Sequence, residues 1–512
     1  MQMKILLQDH KDSVFKIFLF LLLTILFALK NFSFPVHESI FFLHGSGDFN
    51  SVITNYWHTP TYLLLIYCFR LIFNNPIFSL QMVGLLSVFL TAIILFKLIE
   101  TIEVKNGLDK TLKYVLAIMT VTYVPVYNSI FLFEIDSTVI MPFLLYFSIY
   151  LSRNIGDVKE TNVILFLFLG FWLKEVIYPV LLLFVVLLYL KNYKIKVALI
   201  KIFKISVATL LLVIITYGIF SFSVRGDWGA IGNNAKKLFN FNNYYSDVTS
   251  YSSQFYKFAS FLLWGNVILF LNIVFGIKRL IQNSENQNIL IFIIIYLISF
   301  TFLWPSVSGG WPKYSIPLFP ILLYLNVYLL NTYTKRTVYS ILFVTTIYLF
   351  FGDYIYNIYT YFQGENDFIV LVNYFSLYII APLILTIIIK RFSKISIYEI
   401  LFGLFIAQNS SLLIHQINAD YSTNYNYGVK GTRQVIEYIT NNDIGTQTEF
   451  PIYDMLFREE KKKKLLYYIN RNYFFSDERK KTQSEKKKIQ FIFENYKYHK
   501  QVGSYQIWRF IE

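Results

Sequence analysis

The chain reads as long apolar runs separated by short polar linkers. The first run covers 14–32, and others follow at approximately 77–99, 113–131, 137–153, 162–173, 176–190, 205–222, 258–277, 288–304, 314–332, 337–353, 368–389 and 396–414. Most are continuous rather than periodic in their hydrophobicity. The longer ones match the ~20 residues that a helix needs to cross the hydrocarbon core of a bilayer. Lipid offers no partner to a backbone N–H or C=O, so such runs predict helices. Read this way, the chain is an all-α polytopic membrane protein of about thirteen transmembrane helices. The stretch 162–190 fits one long tilted helix or two short ones broken at Lys174-Glu175, and the pattern leaves both open. The first run has no small-residue cleavage site after it and reads as a retained span.

The linkers alternate in charge. Lys4, Lys11 and Lys16 accompany the first span. Lys105, Lys110 and Lys113 follow, then Arg153 and Lys159, then Lys191, Lys194, Lys196, Lys201 and Lys204. Lys278 and Arg279, Lys335 and Arg336, and Lys390, Arg391 and Lys394 complete the set. All fall on one side if the N-terminus is cytoplasmic, as the positive-inside rule expects. The opposite linkers hold few basic residues, among them Arg225, Lys236, Lys237 and Lys313. The run at 60–73 is apolar but too short to span, and counting it as a span would invert every later linker. It is predicted to lie on the outer surface as a juxtamembrane helix within an outer loop, 33–76.

An odd number of spans divides the chain into a membrane domain, 1–415, and a soluble extracytoplasmic domain, 416–512. A helix near 431–441 and strand-like runs at 450–453, 464–469 and Tyr505–Phe510 predict a small α/β unit there. The localisation expected is the cytoplasmic (inner) membrane, with the C-terminal domain periplasmic or extracellular.

Composition changes this picture in three respects. Only 15% of residues are charged, against about 25% in soluble proteins, which excludes one large soluble globule. A net charge of +15 raises the question of nucleic acid. The basic residues lie at the ends of apolar runs, as topology signals do, so no nucleic-acid partner is expected. The single cysteine, Cys68, excludes an intramolecular disulfide and a Cys-based metal site.

Polar residues at or near membrane depth are costly and mark candidate chemistry. Four outer groups stand out. The first is His37-Glu38 with Asp48, followed by Tyr56-Trp57-His58-Thr59-Pro60-Thr61-Tyr62. A carboxylate there can serve as a general base or hold a metal ion; an ordinary polar loop with interfacial aromatics fits as well. The second is Glu134-Ile135-Asp136, two carboxylates in a tight turn, which a solvated turn also explains. The third is Gly170 to Lys174-Glu175, where Lys174 either meets an anionic ligand or snorkels and pairs with Glu175. The fourth is Gly309-Gly310-Trp311-Pro312-Lys313-Tyr314, whose lysine can meet a phosphate or anchor the interface. No phosphate-cradling Gly loop, HExxH or GxSxG occurs. The groups gain weight from lying on one side at similar depth.

In this order the groups resemble the GT-C glycosyltransferases. The nearest are bacterial relatives of the dolichyl-phosphate-mannose protein mannosyltransferases and of the aminoarabinose transferases that modify lipid A. The resemblance is carried by His37-Glu38 with Phe41 and Phe42, where that family has an acidic pair after its first span. It continues through His58-Thr59-Pro60-Thr61-Tyr62, Asp136 opening a span, and Gly170 to Lys174. It ends with Lys313-Tyr314-Ser315-Ile316-Pro317-Leu318-Phe319-Pro320 and an outer domain opening at Ala419-Asp420-Tyr421. His37 stands where the family has Asp, and Thr59 where the lipid A branch has Lys.

The resemblance implies a GT-C-like fold and transfer of a sugar, with inversion, from a polyprenyl-phosphate donor to a lipid, glycan or protein acceptor on the outer face. It implies catalytic roles for Glu38, Asp136, Glu134 and His37. It implies donor-phosphate contacts from Lys313, Tyr314, Lys174 and His58. A divalent metal ion on Glu38 and Asp136 is left open. Two alternatives compete: an O-antigen-type polymerase or ligase, which would show a large arginine-bearing outer loop, and a lipid-linked glycan flippase or transporter. The latter would favour broken mid-membrane helices and an internal repeat.

Overall fold

In the computed structural model the described residues are 2–29, 47–49, 52, 61–73, 76–106, 111–132, 135–174, 177–225, 267–299, 316–330, 379–392, 395–418, 446–448, 467–471, 490, 493–502 and 505–511. Helices dominate them. In chain order they are α1 (Gln2–Leu29), α2 (Thr61–Phe73), α3 (Pro76–Asn106), α4 (Thr111–Thr122), α5 (Val124–Leu132), α6 (Ile135–Asn154) and α7 (Glu160–Leu173). Then come α8 (Tyr178–Asn192), α9 (Ile195–Arg225), α10 (Val267–Leu280) and α11 (Ser284–Ile298). A 3-10 turn (Ile316–Leu318) leads into α12 (Phe319–Val327), and α13 (Ala381–Phe392) and α14 (Ile397–Asn418) follow. Among the described residues, Lys11–Leu29, Phe78–Ile102, Ile195–Ser223 and Ile397–Ile414 are long and apolar enough to cross a membrane. The span expected at 337–353 lies outside the described residues.

The helices pack around α3, which touches α1, α2, α4, α5, α6 and α12. Its Val88, Ala92, Leu95 and Phe96 are fully buried. The outer helices do the reverse. Ile195, Leu199, Phe203, Leu210, Ile215 and Ile219 of α9 are exposed, Ile195 by 70%. So are Ile17, Leu21 and Ile25 of α1. A continuous apolar face of this size suits lipid and not water.

One expected element changes on folding and one open alternative is decided. The run 113–131 is two helices, α4 and α5, meeting at Tyr123. Pro125 is the cause: it has no N–H, and its ring clashes with the carbonyl four residues earlier. The stretch left open at 162–190 is two helices as well. Lys174 caps α7 with an extended backbone, its N–H donating to the Gly170 carbonyl.

One end of the bundle is tied by polar bonds. Lys113, itself buried, pairs with Asp12 at 3.2 Å and Glu100 at 3.4 Å, and the Tyr114 hydroxyl donates to Asp12 at 2.7 Å. Arg153 donates to Glu285 at 2.8 Å, to Thr101 Oγ1 at 2.8 Å and to the Tyr324 hydroxyl. Lys191 reaches Gln287 and Asn288, and Lys201 meets Glu160 at 2.9 Å. Lysines and an arginine from three separate basic linkers therefore gather at one end, as the charge alternation requires.

The C-terminal part forms a four-stranded sheet from β1 (Thr446–Thr448), β2 (Tyr467–Arg471), β3 (Tyr496–Val502) and β4 (Tyr505–Phe510), ordered β1-β2-β4-β3. The β1–β2 pair is parallel and the others are antiparallel, with a register shift at His499. The strand expected at Tyr505–Phe510 is present, and that at 464–469 is displaced to Tyr467–Arg471. The expected helix at 431–441 and strand at 450–453 lie outside the described residues. β3 was not expected. Its aromatic pair Tyr496 and Tyr498 alternates with Lys497, and Tyr498 packs edge-on against Trp508 across the sheet at 5.7 Å.

Candidate functional site

The polar belt gives each helix a direction. Arg153 lies in the last turn of α6, so the first turn of that helix, holding Asp136, is roughly 25 Å away at the other end of the bundle. Asp12 lies in the belt, and α1 runs on to Leu29, again roughly 25 Å further. Glu160 opens α7 in the belt and Lys174 follows its far end. Tyr324 lies in the belt, so the 3-10 turn that precedes α12 faces the far end too. The roots of three polar groups thus lie at the end opposite the belt, and the turn below the fourth lies roughly 12 Å from Tyr324 in that direction.

Two of those groups touch. The Thr61 hydroxyl at the start of α2 donates to the Trp172 carbonyl at 2.5 Å. This seats the start of α2 against the end of α7. Trp172 packs edge-on against Tyr217 at 5.8 Å and Phe220 at 6.0 Å, both on α9. Two positions on, Lys174 is buried. Its carbonyl accepts from Ile177 N at 3.0 Å, which turns the chain into α8.

Gly170 has a packing role. A Cβ at this position would stand 2.3 Å from Leu181 Cδ1 and 3.3 Å from Phe143. The glycine lets α7 approach α8 and α6 closely, which aligns the end bearing Lys174. Gly170→Ala is expected to destabilise the protein by about 1–3 kcal/mol through overpacking. A fall in melting temperature in detergent, measured beside Gly156→Ala, checks this, because a Cβ at Gly156 meets nothing within 4 Å.

Asp136 sits in the first turn of α6. Glu38, His37, His58, Glu134, Lys313 and Tyr314 lie outside the described residues. Among the described residues no group of three or more His, Cys, Asp or Glu could hold a metal ion.

One cation escaped the sequence reading. Arg70 lies on α2, which reads simply as an apolar run. Burial lowers its pKa, and the nearby negative charge of Asp48 opposes that shift. Asp48 belongs to the first polar group, so α2 adds a guanidinium to the same end. The available signal was a lone charge inside a short apolar run.

No protein-family profile matches the chain, and no curated protein matches it in sequence. Among solved structures, ArnT from Cupriavidus metallidurans bound to undecaprenyl phosphate is similar over 97% of both chains, with 11% identity and a TM-score of 0.51. The same protein in its apo state is similar over 98% of both chains, with 11% identity and a TM-score of 0.50. The likeness is one of fold, and it runs the length of the chain: the protein is built on the GT-C-like membrane plan that the sequence resemblance implied.

Proposed function

We propose that this protein is a membrane glycosyltransferase that moves a sugar from a polyprenyl-phosphate donor to an acceptor hydroxyl on the outer face of the membrane, with inversion. The observation that carries the reading is the end-to-end fold likeness to a protein bound to undecaprenyl phosphate. The gathering of three of the polar groups' roots at one end of the bundle supports it.

In this reading Glu38 takes the proton of the acceptor hydroxyl, with His37 beside it. The acceptor oxygen attacks the anomeric carbon, the bond to the phosphate oxygen breaks, and polyprenyl phosphate leaves. Asp136, with Glu134, assists from the second outer turn. Lys313, Tyr314, Lys174 and His58 stabilise the departing phosphate by charge and hydrogen bonding. The acceptor is a lipid, a glycan or a protein. Residues 416–512 form a soluble outer domain.

The test is transfer of label. Purified protein is incubated with radiolabelled polyprenyl-phosphate sugars and a total lipid and glycan extract. Transfer by wild type that is lost in Glu38→Gln and Asp136→Asn is expected. Binding of lipid-linked oligosaccharide without transfer from any monosaccharide donor would favour a polymerase or flippase instead.

Orientation has its own test. The N-terminus and the belt are assigned to the cytoplasm and residues 416–512 to the outside. Alkaline phosphatase fused after Glu512 is expected to be active, and fused in the turn at 155–159 inactive. The reverse pattern would invert the assignment.

A further inference from the structure

The helix α5 is short, nine residues, and is separated from α4 by a break inside what the sequence offers as one span. Breaks of this kind are tolerated in a membrane protein where other groups satisfy the freed backbone. Here one side chain does so. Asn409 of α14 accepts from Val124 N at 3.0 Å and donates to the Thr122 carbonyl at 3.0 Å. A single amide thus bridges both sides of the break, from 285 residues further along the chain.

Two further contacts hold the same helix. The hydroxyl of Tyr127, which is fully buried, donates to the Leu26 carbonyl of α1 at 2.9 Å. The Tyr123 ring, at the break itself, stacks on Phe319 with centroids 3.7 Å apart and planes 15° from parallel. Those contacts reach the roots of three polar groups. α1 leads to His37-Glu38, α5 leads to Asp136, and Phe319 follows the turn after Lys313. Asp136 stands four positions past the end of α5, so a shift of α5 carries it relative to α1.

We propose that Asn409 and Tyr127 are positioning residues, which through α5 set where Asp136 stands relative to the end of α1. This rests on the transferase reading. An unbroken helix over 111–132 would satisfy its own backbone, so the Pro125 break and its Asn409 clamp act on the direction in which α5 leaves α4.

The test uses the full-length protein and the donor that wild type accepts. Tyr127→Phe and Asn409→Ala are assayed alone and combined with Asp136→Asn. Each single variant is expected to lower kcat about tenfold or more, since small misplacements are expensive in rate, with KM for the donor changed less than about twofold. Combined with Asp136→Asn, neither is expected to slow the reaction further, because all act on one group. Tyr127→Phe removes one hydroxyl and keeps the ring, so it decides the matter if Asn409→Ala does not fold. Where Asp136→Asn leaves no measurable rate, the kcat and KM split of the single variants decides.

Wild-type rates in Tyr127→Phe, effects that multiply with that of Asp136→Asn, or full activity of Asp136→Asn would overturn the positioning role while leaving the transferase reading intact. A wild-type protein silent with every donor would overturn both.

Discussion

Glu38→Gln is expected to lower the transfer rate by roughly 10²- to 10⁴-fold, the range that a positioned general base contributes. Glutamine keeps the size and most of the hydrogen bonding of glutamate but cannot hold the acceptor proton. The loss should therefore fall on kcat, with KM for the donor little changed. Asp136→Asn is expected to follow the same pattern with a smaller loss, because an assisting carboxylate orients or stabilises rather than taking the proton. Steady-state kinetics over a range of donor concentrations measures both. A Glu38→Gln enzyme with wild-type kcat would remove the base assignment, and a rise confined to KM would move Glu38 to donor binding.

The second large effect concerns stability. Arg153→Ala or Glu285→Ala is expected to cost about 3 kcal/mol, toward the lower end for breaking a buried ion pair because both groups keep some contact with solvent. Arg153 holds α6 to α3 through Thr101 Oγ1 and the Leu98 carbonyl, to α11 through Glu285, and to α12 through Tyr324. Removing it leaves the Glu285 carboxylate with tyrosine hydroxyls in place of a cation, that of Tyr324 2.5 Å away and that of Tyr328 beside it. The comparison is Lys97→Ala. Lys97 meets Glu100 at 2.9 Å but is 54% exposed, and exposed pairs are worth about 0–1 kcal/mol. Thermal unfolding in detergent should separate the two clearly. Equal melting temperatures for Arg153→Ala and Lys97→Ala would mean that the belt is an ordinary solvated face.

Much of this fold is legible in the order of residues. The runs near 77–99, 137–153, 205–222 and 396–414 correspond to helices within a few residues at one or both ends. Span length and continuous hydrophobicity are local quantities, and lipid leaves the backbone no other option. Pro125 was equally visible, yet a proline within an apolar run marks either a kink or a full break. The neighbour that supplies the missing partner, Asn409, decides between them. At the C-terminus, β4 was found because its apolar residues form a compact run. β3 was missed because Lys497, His499, Lys500 and Gln501 mask its alternation, and its partner strand supplies the stabilising pairs.

The candidate site divides in the same way. Glu38, Asp136, Lys174 and Lys313 could be picked out singly because a charge beside an apolar run is expensive. Arg70 carries the same signal, but its place in the site depends on the charge of Asp48 beside it, which only the fold brings near. Gly170 reads as part of a Gly-to-Lys segment, and its neighbours Leu181 and Phe143 show that it has a packing role.

Local composition is enough to establish that the chain is a bundle of membrane-crossing helices, which linkers share a side, and where costly polar groups lie. These follow from transfer free energies and charge counts, which need only the local composition. Only the tertiary structure decided that α4 and α5 are separate, that Thr61 meets Trp172, and that Asn409 and Tyr127 join α5 to α14 and α1. Such contacts bring together residues about a hundred to nearly three hundred positions apart, and they depend on how helices cross and rotate against one another. A helix face records that it is buried, and its neighbours settle against what.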